Sequence, residues 1–149
     1  MFRHFTLLAL STLVWFAPQM TLAQRDFSNV EIIAHHVAGS VYYLEGAGGN
    51  IGLSVGEDGV VMIDDQYAPL TDKILAAIRQ LNQGEIRFLI NTHVHGDHTG
   101  GNENLGKMGV LILARDEVRV RLAAQSPTAA LPVLTLSLIH ISEPTRHRG

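Results

Sequence analysis

Four residues of metal-binding type, His93, His95, Asp97 and His98, stand within six positions of one another directly behind the apolar run Ile86 to Asn91. At this chain's own His and Asp frequencies, such a string arises by chance in roughly one chain in a thousand of this length. It restricts the fold, because the apolar run suits a buried strand. Gly96, Gly100 and Gly101 then let the chain bend sharply behind that strand, so the ligand types gather in a loop at the end of a sheet. On an extended stretch residues i and i+2 point the same way, which lets His93 and His95 converge on one ion. Asp97 and His98, past the bend at Gly96, can face a second ion beside it. Imidazole and carboxylate suit zinc, and they also suit iron or manganese. Two ions about 3.5 to 4 Å apart can share a water, lower its pKa and polarise a scissile bond, which is metal-assisted hydrolysis. The plainer alternative is a surface group of hydrogen-bonded histidines, and the density of the string disfavours it.

The flanking pattern is that of a sheet with helices packed on it. From Val30 to Asp65 short β-rich stretches, Val41 to Leu44, Ile51 to Val55 and Val60 to Ile63, alternate with glycine turns at 46, 48, 49, 52, 56 and 59. Most of these glycines fit hairpins that need positive φ. They do not form a phosphate loop, since no Lys-Ser or Lys-Thr follows. Beyond Pro69 the period changes to that of an amphipathic helix, with Leu70, Ile74, Ile78 and Leu81 on one face and a stop at Asn82 and Gly84. Val110 to Leu113 reads as another strand. Arg115 to Gln125 reads as a helix, although the alternation Val118-Arg119-Val120-Arg121 also fits a strand. Strands first, then strand and helix in alternation, give an α/β fold. His35 and His36 fall in the first strand, where such a pair is more often structural or solvent-facing than ligating.

Asn91-Thr92-His93-Val94-His95-Gly96-Asp97-His98-Thr99-Gly100-Gly101-Asn102 resembles the signature loop of the metallo-β-lactamase superfamily, whose fold is an αβ/βα sandwich. The resemblance runs from about Val30 to Leu122. It implies that His93 and His95 bind a first metal, that Asp97 and His98 bind a second, and that Asp97 orients the attacking water. The expected cofactor is zinc, two ions in a complete site, with iron or manganese as alternatives. The expected activity is hydrolysis of an ester, thioester, amide or lactam by metal-bound hydroxide; an iron-dependent dioxygenase or oxidoreductase on the same fold is the alternative. Gly59-Val60-Val61-Met62-Ile63-Asp64 is similar to the family strand that ends in an acid, and Asp64 is either a support for the histidine loop or an ordinary strand-end acid.

Composition and the termini bound the rest. The 149 residues leave room for one domain, and 46% hydrophobic with 17% charged residues describes a globular chain. No cysteine is present, which excludes disulfides, thiolate ligands and a cysteine nucleophile. A charge of −3 with no basic cluster argues for a small-molecule partner rather than nucleic acid. The basic start Met1 to Phe5, the apolar run Thr6 to Ala17 and the small residues Thr21 and Ala23 read as a signal peptide, residues 1–23, for export to the periplasm or the medium. The run is too short for a bilayer span of about 20 residues. Cleavage removes Arg3 and Trp15 and no acid, leaving 10 basic against 14 acidic residues and a charge of −4.

Residues 24–135 are then the domain, and it resembles only the N-terminal half of the sandwich. The family completes its site with a histidine, a bridging carboxylate and a last histidine further on, whereas 27 residues follow Leu122. Leu136 to Arg146, Leu-Ser-Leu-Ile-His-Ile-Ser-Glu-Pro-Thr-Arg, resembles the translation of a transposon-based sequencing adapter. Residues 136–149, with His140 and His147, are therefore expected to be an artefactual tail. A half-sandwich would leave one sheet face uncovered and lack ligands, so a chain of this extent is expected to be inactive.

Overall fold

A computed structural model describes residues 25–125, 131–132 and 134–135; the signal-peptide reading, Trp15, the adapter-like tail, His140 and His147 lie outside the described residues. Seven strands form one sheet in chain order: β1 (Ile33–Ala38), β2 (Val41–Glu45), β3 (Ile51–Gly56), β4 (Gly59–Ile63), β5 (Ile86–Asn91), β6 (Leu111–Ala114) and β7 (Leu134–Thr135). The first four pair antiparallel, because connections of two to five residues can only reverse the chain. From β4 onward the pairing is parallel. These longer returns carry the helices α1 (Thr71–Leu81), α2 (Gly96–Thr99), α3 (Asn102–Lys107) and α4 (Asp116–Gln125).

The register sorts the two sheet faces. Leu53 pairs with Met62, Met62 with Leu89 and Leu89 with Ile112, so these four side chains form one row. They pack with Leu44, Ile51 and Val60 against Leu70, Ile74 and Ile78, all buried. Fully burying each such side chain is worth about 1.5 to 3 kcal/mol. α1 begins one residue later than its periodicity suggests, because Ala68–Leu70 form a separate 3-10 turn led by Pro69. On its outer side Lys73 donates from Nζ to the carbonyls of Phe27, Ser28 and Val30 at 3.1, 2.8 and 2.7 Å, which straps the N-terminal segment to the helix.

The opposite face carries Val41, Val61, Phe88 and Leu111 in one register row and Tyr43, Ile63, Ile90 and Leu113 in the next. Val41, Ile63 and Leu111 are 45, 40 and 44% exposed. An alternating strand pattern therefore puts apolar residues on both faces, as in a sheet built to be covered twice.

Two helices escaped the sequence reading. α2 is one turn inside the stretch expected to be a loop, closed by the His98 and Thr99 amides on the His95 carbonyl at 2.9 and 3.2 Å. α3 has six residues and buries only Asn102 and Leu105, too few for a period to show. The ambiguous stretch from Arg115 is helical, with Val118 and Leu122 buried four residues apart. The glycine turns also differ from expectation. Of the six named, only Gly48 and Gly59 have positive φ, while Gly46 and Gly49 are confined by close neighbours.

Leu89, central and fully buried, makes the sharpest packing test. Leu89→Ala should lower unfolding free energy by about 2 to 5 kcal/mol in urea titrations. Val120→Ala, on an exposed position of α4, should stay within about 0.5 kcal/mol.

Candidate metal centre

β4 and β5 are parallel, so their carboxyl ends deliver Asp64 and Thr92 to the same edge of the sheet. Backbone bonding joins the two ends, the Asp64 amide donating to the Ile90 carbonyl at 2.9 Å. Beyond β5 the chain bends at His93 and Val94 and is extended again at His95, whose φ and ψ are −70° and 146°. Val94 packs against the small cluster of Ala114, Val118 and Leu122. The bend, rather than the strand alternation expected from the sequence, sets His93 and His95 side by side. The helical turn at Gly96 brings Asp97 and His98 back beside them.

The buried Asp64 carboxylate organises this group. Its Oδ1 accepts from the Thr92 amide at 2.8 Å, and its Oδ2 accepts from Thr92 Oγ1 at 2.6 Å and from His98 Nδ1 at 2.8 Å. Thr92 has one hydroxyl proton, and the carboxylate takes it. At 3.0 Å from His93 Nδ1 the same hydroxyl oxygen can therefore only accept. This network assigns the proton of both imidazoles to Nδ1, leaving both Nε2 atoms with free lone pairs. Asp64 is thus a support for the histidine loop, which settles the alternative left open by its place at a strand end.

The three imidazoles crowd together. The His93 and His98 ring centroids are 3.9 Å apart and those of His93 and His95 4.8 Å apart. His98 Nε2 lies 3.6 Å from Asp97 Oδ2. A tetrahedral zinc with bonds of about 2.1 Å separates two of its ligand atoms by about 3.4 Å. The Asp97–His98 pair therefore already has nearly the bite of such an ion. Asp64, His93 and His98 also offer donor atoms within 4.8 Å of one another. The Asp64 oxygens, however, already accept three hydrogen bonds, so its role is to orient imidazoles rather than to ligate. His35 and His36 are engaged in the first hairpin instead, His35 stacked on Tyr43 and 3.0 Å from Glu45, His36 on the Gly39 carbonyl at 3.0 Å.

Three residues of the site were invisible in the sequence. Gly48 and Gly49 press against the ligands so closely that a Cβ on them would stand 2.7 Å from Asp97 Cβ and 2.4 Å from His98 Cε1. Asp65, almost completely buried, accepts from the Gly101 amide at 2.9 Å, while its Oδ2 and the Oδ1 of Asn102 have no partner among the described residues. Burial, and secondarily the neighbouring Asp64 charge, push the Asp65 carboxyl up to about 8 despite the Gly101 hydrogen bond. Beside it Asn102 donates to Asn91 Oδ1, and Asn91 to the His98 carbonyl, at 2.9 and 3.3 Å. This polar layer sits beneath the ligand loop and fixes its backbone.

A sheet that gathers imidazoles and carboxylates at the carboxyl ends of parallel strands defines a metal-binding α/β domain. Residues 44–112 match the family model described as Metallo-beta-lactamase superfamily, and this stretch is a domain of that superfamily. The structure is similar to a metallo-beta-lactamase from Hirschia baltica, at 20% identity and a TM-score of 0.63, covering 72% of this chain and 52% of that one. It is also similar to the FIM-1 metallo-beta-lactamase of Pseudomonas aeruginosa in its mono-zinc form, at 19% identity and a TM-score of 0.62, covering 72% and 51%. At these identities the likeness establishes the fold. The coenzyme F420H(2) oxidase of Methanothermobacter marburgensis is 33% identical over 63 residues, 40% of this chain and 16% of that protein. The chain thus spans about half the length of these solved structures and a small part of the oxidase.

The Asp65 shift gives a pH signature. Between about pH 4 and pH 8 folded Asp65 keeps a proton that the unfolded chain has released, so its contribution to stability falls as pH rises through that window. Asp65→Asn should remove this slope. Thermal melts of metal-free chain and variant should therefore diverge from pH 4 to pH 8, the variant becoming relatively more stable, and parallel profiles would refute a neutral buried Asp65.

Proposed function

We propose that this chain carries the N-terminal share of a dinuclear metal centre, in an exported hydrolase acting on an ester, thioester, amide or lactam. The observation that supports it best is the Asp64–Thr92 network, which ties Nδ1 of His93 and His98 and leaves Nε2 of each free, that of His98 3.6 Å from the Asp97 carboxylate. Nothing in a purely structural cluster requires the two tautomers to be matched in this way. His93 and His95 would hold one ion, and Asp97 and His98 the other. A bound divalent ion at such a site supplies a Lewis acid and brings the pKa of water toward neutrality.

The protein's own groups would do the rest. Asp97 accepts a hydrogen bond from the attacking water and turns its lone pair toward the scissile carbonyl. Asp64 keeps both imidazoles in the ligating tautomer as charge changes at the site. The glycines at 48 and 49 bring backbone, with no side chain, up to the ligands, which narrows the approach of solvent on that side. Zinc is the proposed metal, and a small molecule met in the periplasm or the medium the proposed substrate. The 149-residue chain by itself is proposed to turn over poorly, since the loop supplies only part of a dinuclear ligand set.

A second reading keeps the ligands and changes the chemistry. The identity to a protein named as an oxidase favours iron in the site and an oxidoreductase reaction. Elemental analysis and an optical spectrum after purification without added metal separate the two, zinc with a featureless visible spectrum supporting the hydrolase.

For the hydrolase, Asp97→Asn in the active protein should lower the rate on a chromogenic β-lactam or a thioester about 10²-fold while circular dichroism stays unchanged. Undiminished turnover would sink the assignment of Asp97 to the water.

A further inference from the structure

Gln66 is fully buried, yet it is one of two non-glycine residues with positive φ among those described, at 55°. A side chain held in that region carries strain that glycine would not, and such strain persists only where the surroundings over-determine it. Here the surroundings engage both polar atoms of the carboxamide. Oε1 accepts from the Ala47 amide at 3.2 Å and Nε2 donates to the Gly49 carbonyl at 2.6 Å. The side chain thereby spans the loop between β2 and β3, gripping it on both sides of Gly48.

The main chain of the same residue reaches the other wall of the site. The Gln66 carbonyl accepts from the Gly100 amide at 2.8 Å, immediately behind the turn that carries Asp97 and His98. That contact is tight as well, because a Cβ on Gly100 would stand 2.6 Å from the Gln66 oxygen. One residue therefore joins the glycine loop to the ligand turn. What the loop then touches are Asp97, under Gly48, and His98, under Gly49.

We infer that Gln66 is a positioning residue for the metal ligands, a latch that holds the Gly48–Gly49 backbone against Asp97 and His98 and so fixes the 3.6 Å separation of their free atoms. The inference rests on the metal-binding reading above and deepens it. Asp64 orients His98 through Nδ1, and the latched Gly49 lies against the ring at Cε1 and Nε2. Between them the imidazole has one orientation left. Without the latch the loop can lift, and His98 and Asp97 regain the side-chain freedom that metal binding must then remove.

The test compares the full chain with Gln66→Gly, which relieves the backbone while deleting the latch. Zinc affinity is read by competition with a chromogenic chelator, ligand geometry by the visible absorption of the cobalt(II) form, and the latch by hydrogen exchange at the Ala47 amide. The latch predicts a folded variant with at least about tenfold weaker zinc binding, an altered cobalt spectrum and faster Ala47 exchange. A merely structural Gln66 predicts a variant as stable or more so, with affinity and spectrum unchanged, and that result overturns the proposal. If the variant does not fold, the metal-free wild-type chain decides, since a latched Ala47 amide must be protected and one exchanging at the free-peptide rate defeats the latch. A wild-type chain that binds no zinc while Ala47 is protected overturns the metal-binding reading, and with it the positioning role. Zinc binding at wild-type affinity in the variant overturns the latch alone.

Discussion

The two oxygens of Asp64 tie the end of β4 to the end of β5 and to the ligand turn beyond it. Through the Thr92 amide they fix where β5 ends, and through the Thr92 hydroxyl they decide which nitrogen of His93 carries a proton. His98 Nδ1 makes the third contact, across 34 positions of sequence. Because the carboxylate is buried, these bonds act in a medium of low dielectric where they are strong and where leaving any one unmade is costly. The geometry of the site is therefore a by-product of folding the sheet. It requires β4 and β5 to be parallel and in register, and that in turn requires α1 to cross between them and pack on Met62 and Leu89.

Much of this was legible in the sequence, for physical reasons. The strands that became β2 to β5 announce themselves because they are buried on one face and bounded by glycine. α1 does so because Ile74 and Ile78 lie one turn apart. His93, His95, Asp97 and His98 stand out because their chemistry is dense within a few positions. What could not be read is what depends on contacts between distant segments. One-turn helices such as α2 bury too little to leave a period. Asp65 and Gln66 look like ordinary polar residues at a strand end, and only the arrival of Gly101, Ala47 and Gly49 makes them interior groups. Gly49 reads as a turn residue, whereas its use is to let backbone approach an imidazole.

Strain and burial are concentrated in one tripeptide. Asp64 and Gln66 have positive φ on either side of Asp65, and all three are almost completely buried although all are polar. Their side chains have different partners: Asp64 meets Thr92 and His98, Asp65 the Gly101 amide beneath the loop, and Gln66 the backbone of Ala47 and Gly49 above it. A run of alternating left-handed and ordinary residues is what allows three successive side chains to radiate in three directions from the end of a strand. The stability lost there is regained in the packing of the sheet against α1.

The face of the sheet away from α1 bears on how such a chain behaves in a crowded solution. Val41, Ile63 and Leu111 present oily surface in two adjacent register rows, and among the described residues β1 is an edge strand flanked by the exposed Ile33 and Val37. Water penalises that surface at every encounter, so collisions between copies are rewarded. For this chain, concentration joins temperature as a variable that sets how much protein stays dispersed, and whatever lies against that face in its native setting acts as its solubiliser.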